Sequence, residues 1–99
     1  MEMLPLSSDI EKRLALLFSP DDQEEARRML VEECGTNIPA WKSAGVDRLR
    51  CAVLKLSDGK ILLLRRAINV AKIDFRDVLV PAEFGEPESH KSWTPERKW

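Results

Sequence analysis

Between Lys60 and Val80 the chain runs K-I-L-L-L-R-R-A-I-N-V-A-K-I-D-F-R-D-V-L-V without a glycine or a proline. Ile61, Leu64, Ile68, Ala71, Phe75 and Val78 recur at spacings of three and four, which places them on one face of an α-helix and not on a strand. Arg65, Asn69, Lys72 and Arg76 keep the same rhythm on another face. The spacing predicts a long central helix over about 60–80, with the rest of the chain arranged around it.

The shorter periodic stretches point to the same fold class. Met1 to Ser7 reads as a loose lead-in. Ser8 with Glu11 three residues later forms a capping box, opening a helix to Phe18 that buries Ile10, Leu14, Leu17 and Phe18. Ser19-Pro20-Asp21-Asp22 starts a second helix: Ser19 caps it, Pro20 suits the first helical position, and the two aspartates favour the positive end of the dipole. That helix reaches Cys34, with Gly35 expected as the left-handed residue that ends it. Its core stripe is Ala26, Met29, Leu30 and Cys34. Glu32 and Glu33 lie in the last turn, where the dipole disfavours an anion by about 0.3 kcal/mol or more. At least one of them is therefore expected to meet a base from the second half of the chain.

Residues 36–44 form an irregular stretch. Asn37 and Pro39 oppose a helix there, while Ile38, Pro39 and Trp41 are apolar enough to fold back onto the core. A third helix follows from about Gly45 to Leu56, carrying Val46, Leu49, Val53 and Leu56. Ser57-Asp58-Gly59 is a tight turn in which Ser57 or Asp58 is placed to cap the long helix. Pro81 stops that helix. The expectation is an all-α protein: a small four-helix domain over 1–84 and an irregular C-terminal extension over 85–99, docked or disordered.

Three groups of residues carry a resemblance: Cys34-Gly35-Thr36-Asn37-Ile38-Pro39; Leu54-Lys55-Leu56-Ser57 with Gly59; and Ala71-Lys72 with Asp74-Phe75-Arg76-Asp77 and Leu79-Val80. Together they resemble a pattern in small uncharacterised bacterial all-helical proteins, over about residues 19–84. The resemblance implies a small helical protein and transfers no functional residue.

Composition excludes more than it assigns. The 99 residues suit one domain, and a net charge of −1 supplies no global field toward nucleic acid or membrane. Residues 1–44 carry nine acids and five bases, whereas residues 45–81 carry four acids and eight bases, so the two halves are expected to neutralise each other on packing. The first residues lack the basic and long apolar regions of a secretory signal, and no apolar run is long enough to span a bilayer. The location expected is cytoplasmic. Two cysteines, Cys34 and Cys51, read as buried thiols rather than a disulfide or zinc site. His90, the only histidine, has no placed nucleophile or carboxylate around it. Asp74 and Asp77 read as a solvated or ion-paired face. No catalytic residue, metal ligand or cofactor is expected.

What remains is binding. Trp93 and Trp99 in the polar tail, and Trp41 in the loop, are candidate partner-binding residues, because an indole in water is unfavourable and is enriched at interfaces. A four-helix domain of this size is not expected to cover Leu62, Leu63, Val70, Ile73 and Val80 alone, which points to a protein partner or a second copy in a homodimer. The expected function is a non-catalytic protein–protein interaction or regulatory module. The alternative is a helix-turn-helix-like nucleic-acid binder using Arg65, Asn69, Lys72 and Arg76, since arginine and asparagine read base edges and a helix fits the major groove. The absence of a basic net charge and the breadth of the helix's apolar surface weigh against it.

Overall fold

The computed structural model describes residues 4–39 and 41–99. Residues 1–3, expected to open the lead-in, and Ala40 of the irregular stretch lie outside the described residues. Among the described residues six α-helices follow one another: α1 (Ser8–Leu17), α2 (Pro20–Glu33), α3 (Trp41–Ala44), α4 (Val46–Ser57), α5 (Ile61–Ile73) and α6 (Arg76–Leu79). A 3₁₀ turn, Ser89–Ser92, comes after them. The fold is a small all-α domain whose four main helices are α1, α2, α4 and α5.

The helix expected over 60–80 is shorter than its spacing suggests. It ends at Ile73, and Asp74 leaves the helical region at φ −151° and ψ 109°. The cause is local. The Asp74 carboxylate accepts the Arg76 backbone N–H at 3.0 Å, offering the chain an alternative to the helical ladder. Phe75 still packs on the core and Val78 is buried, so the apolar rhythm continues through a break in the backbone.

The helix at the centre is α4. It packs against α1, α3, α5, α6 and the 3₁₀ turn, whereas α5 rests on α2, α4 and α6. Leu49, Arg50, Cys51, Ala52, Val53, Leu54 and Ser57 are all buried on α4, on more than one side of the helix. Ile10, Leu14 and Phe18 from α1, Met29 and Leu30 from α2, and Leu64, Ile68 and Ala71 from α5 complete the core.

The helix ends differ from expectation in four places. Ser19 holds the cap position of α2, but its side chain makes no capping hydrogen bond. Ser7, not Ser8, caps α1, accepting the Ile10 N–H at 3.3 Å. Neither Ser57 nor Asp58 caps α5. Ser57 closes α4, where its hydroxyl donates to the Leu54 carbonyl and accepts from the Gly59 N–H, and Lys60 occupies the cap position of α5. Gly35 is not left-handed. A Cβ there would come within 3.3 Å of the Arg50 guanidinium, so the glycine lets that side chain approach closely. The left-handed residues of the α4–α5 turn are Asp58 (φ 50°) and Gly59 (φ 79°).

Irregular chain is held down by cations that donate to backbone carbonyls. Arg50 donates to Cys34 at 2.8 Å, to Pro5 at 3.0 Å and to Leu4 at 2.8 Å. Arg13 donates to Trp93 at 2.9 Å, and also to His90 and Lys91. Arg48 donates to Phe84 and Gly85, and Lys55 to Ala82. Buried carbonyls need partners, and these side chains supply them where no helix does.

Candidate functional site

The basic stripe is largely occupied by its own protein. Arg65 and Lys72 both meet the Glu33 carboxylate, Lys72 at 3.0 Å. This is the expected contact between the end of α2 and a base from the second half. Hydrogen bonding from Arg65, then from Lys72, holds the Glu33 carboxyl below the usual range against the opposing effect of burial. Glu32 instead pairs with Arg28 on its own helix. Arg76 lies beyond the break and is engaged with Asp74 at 3.2 Å. Asn69 is exposed. Arg65, Asn69 and Lys72 thus share α5, while Arg76 belongs to a different element, and the four do not form one continuous reading face.

Next to this stripe α5 exposes two large apolar side chains. Leu62 is 83% exposed and Ile73 85%, at the two ends of α5. Their spacing sets them on the same side of the helix, with exposed Arg66 and Asn69 between them. Leu63 and Val70 are half-buried at its flank. They line a groove of about 160 Å³ with Leu56, Ala67 and Val78, and Arg66 and Asp77 stand at its rim. Val80, just past α6, is 70% exposed.

The three tryptophans do not come together. Trp41 begins α3, half-buried, with the Lys42 ammonium 5.6 Å from its ring. Trp93 packs half-buried against the core, 5.8 Å from the Phe84 ring. Trp99 is 46% exposed, and its indole N–H donates to the Ala15 carbonyl at 2.9 Å. The Lys98 N–H donates to Leu16 at 2.9 Å and its ammonium meets Asp58 at 2.9 Å, so residues 93–99 lie along α1. Between α1 and this segment runs a cleft of about 660 Å³, with Lys12, Arg13, Lys91, Arg97 and Trp99 among its walls. Periodicity could not have found this cleft, because the tail has none.

A second, smaller cavity of about 250 Å³ lies behind Arg13, reaching Asp47, Cys51 and His90. His90 is buried and its Nδ1 has no hydrogen-bond partner. Burial, reinforced by the Arg13 charge, lowers its pKa and keeps the imidazole neutral. Cys51 is pushed up to about 11 and Cys34 to about 12 by burial, so both stay thiols; both are free. Among the described residues no three histidine, cysteine or acidic side chains are grouped to hold a metal ion. No helix among them is long and apolar enough to cross a membrane. Comparison with protein-family models, with curated proteins and with solved structures finds no match.

Proposed function

We propose that this protein is a non-catalytic interaction module whose first partner is a second copy of itself, paired through the outer face of α5. The observation that carries the reading is the near-complete exposure of Leu62 and Ile73 on one side of that helix. They are separated by about 16 Å along the axis, a span set by the helical rise. In an antiparallel two-fold pairing, Leu62 of one copy meets the partner's Ile73, and Arg66 meets the partner's Asn69. No like charges are opposed. The flanking cations Arg65 and Lys72 are already joined to Glu33, which lowers their repulsion across the two-fold axis. Burying a leucine or isoleucine contributes roughly 1.5–3 kcal/mol, and two-fold symmetry uses each twice.

A cytoplasmic setting belongs to the same reading, supported by the two thiols held free in the core. The helix-turn-helix-like alternative requires Arg65 and Lys72 to leave Glu33 and Arg76 to leave Asp74, and no observation favours it.

Sedimentation across a concentration series is the test. The expected result is a reversible dimer that Leu62→Glu with Ile73→Glu converts to monomer, with helicity unchanged because both residues are exposed in one copy, and with the melting temperature of dilute wild-type protein at every concentration. A wild-type protein that stays monomeric at every accessible concentration overturns the proposal.

A further inference from the structure

The cleft between α1 and the C-terminal segment is separate from the α5 face and has a different chemistry. Its volume, about 660 Å³, lies within the roughly 300–1,000 Å³ of small-molecule sites. Four cations face it, Lys12, Arg13, Lys91 and Arg97, against the single acid Asp9. In a chain of net charge −1 this is a concentrated positive region.

Little of that charge is neutralised. Arg13 is buried and spends its donors on the carbonyls of Asp9, His90, Lys91 and Trp93, which orient the guanidinium without cancelling its charge. Lys12 has no ion pair or hydrogen bond among the described residues. Arg97 makes only a stacking contact, 4.0 Å above the Trp99 ring. Lys91 alone pairs with a carboxylate, that of Glu88. The Trp99 indole N–H bonds to Ala15 and one face of its ring carries the Arg97 guanidinium, so the rest of the indole lines the cleft with Ala15 and Leu16 as its apolar part.

We infer that this cleft binds a small aromatic acid, with its anionic group between Lys12 and Arg97 and its ring against Trp99. The cations exclude a metal ion or a polyamine as occupant. The aromatic wall favours a flat organic anion over inorganic phosphate, because stacking and cation–π contacts act on a ring.

Two probes of nearly the same shape separate charge from apolarity: anilinonaphthalene sulfonate and its uncharged analogue phenyl-naphthylamine. Titration of the folded protein is expected to give one sulfonate bound per chain, with the neutral analogue at least about tenfold weaker. Lys12→Ala and Arg97→Ala are each expected to weaken sulfonate binding about fivefold, and added salt to weaken it further. Both side chains are exposed, so the melting temperature should not change. Leu62→Glu with Ile73→Glu should leave sulfonate binding intact, which keeps this test independent of the dimer. Equal affinity for the two probes, no binding of the sulfonate, or loss of binding in the α5 variant but not in the Lys12 and Arg97 variants overturns the inference.

Discussion

Arg50 is fully buried, and its donors end on the carbonyls of Leu4, Pro5 and Cys34. Burial lowers its pKa, yet an arginine starts so high that the side chain stays charged. Arg50→Met is expected to lower stability by about 2 kcal/mol, because the buried Cys34 carbonyl loses a charged donor that water does not replace, while the Leu4 and Pro5 carbonyls are only half-buried. Urea unfolding measures this, and a change within about 0.5 kcal/mol, typical of exposed positions, contradicts the assignment. Arg50 sits four residues after Val46 and three before Val53, on the same rhythm as the core. An arginine at that spacing reads equally well as a side chain reaching out to solvent. Only its meeting with Gly35 and with the lead-in, residues distant in sequence, decides the matter. Lys12 and Arg97 were opaque for the same reason, since they lie 85 positions apart in the chain.

At the level of elements, the fold class and most helices could be read from spacing and caps, because α1 and α2 each announce a start and bury a regular stripe, while α4 was legible from its spacing alone. Periodicity reports which residues share a face and says nothing of whether the backbone continues beneath them. The apolar series Ile61 to Val78 therefore ran straight through the break at Asp74, where the side chain bonds the Arg76 N–H and guanidinium instead of leaving the backbone helical. The contact between α2 and α5 was legible from the unfavourable position of Glu33 at a helix C-terminus. Glu33→Gln is expected to lower stability at neutral pH by about 1 kcal/mol. The pH dependence follows from the direction of the shift. Glu33 in the folded protein titrates below its ordinary 4.5, so its contribution is complete above that value and disappears as pH falls through the folded pKa. The variant should therefore show a shallower acid loss of stability, and parallel wild-type and variant curves below pH 4.5 would contradict it.

Across the whole molecule, the opposite charges of the two halves meet chiefly at Glu33. The other α2 pairs are with nearby sequence, Arg27 with Glu11 and Arg28 with Glu25 and Glu32. The radius of gyration is 11.9 Å, close to the roughly 13 Å typical of 100 residues, and the polar C-terminal segment lies on the domain. Arg13→Met should release it. Limited trypsinolysis is then expected to cut first after Arg97 and Lys98 while α4 and α5 stay protected, whereas uniform acceleration at all sites would mean that the segment is not separately held. The bonds from Arg13 and Ala15 to that segment span 77 to 84 positions of sequence. Closing so wide a loop is entropically unfavourable until α1 is already formed and seated on α4. The segment is thus expected to dock after α1 and α4 have packed. On a ribosome, α1 would wait with that flank uncovered until residues 90–99 emerged, and the basic cleft would come into being only then.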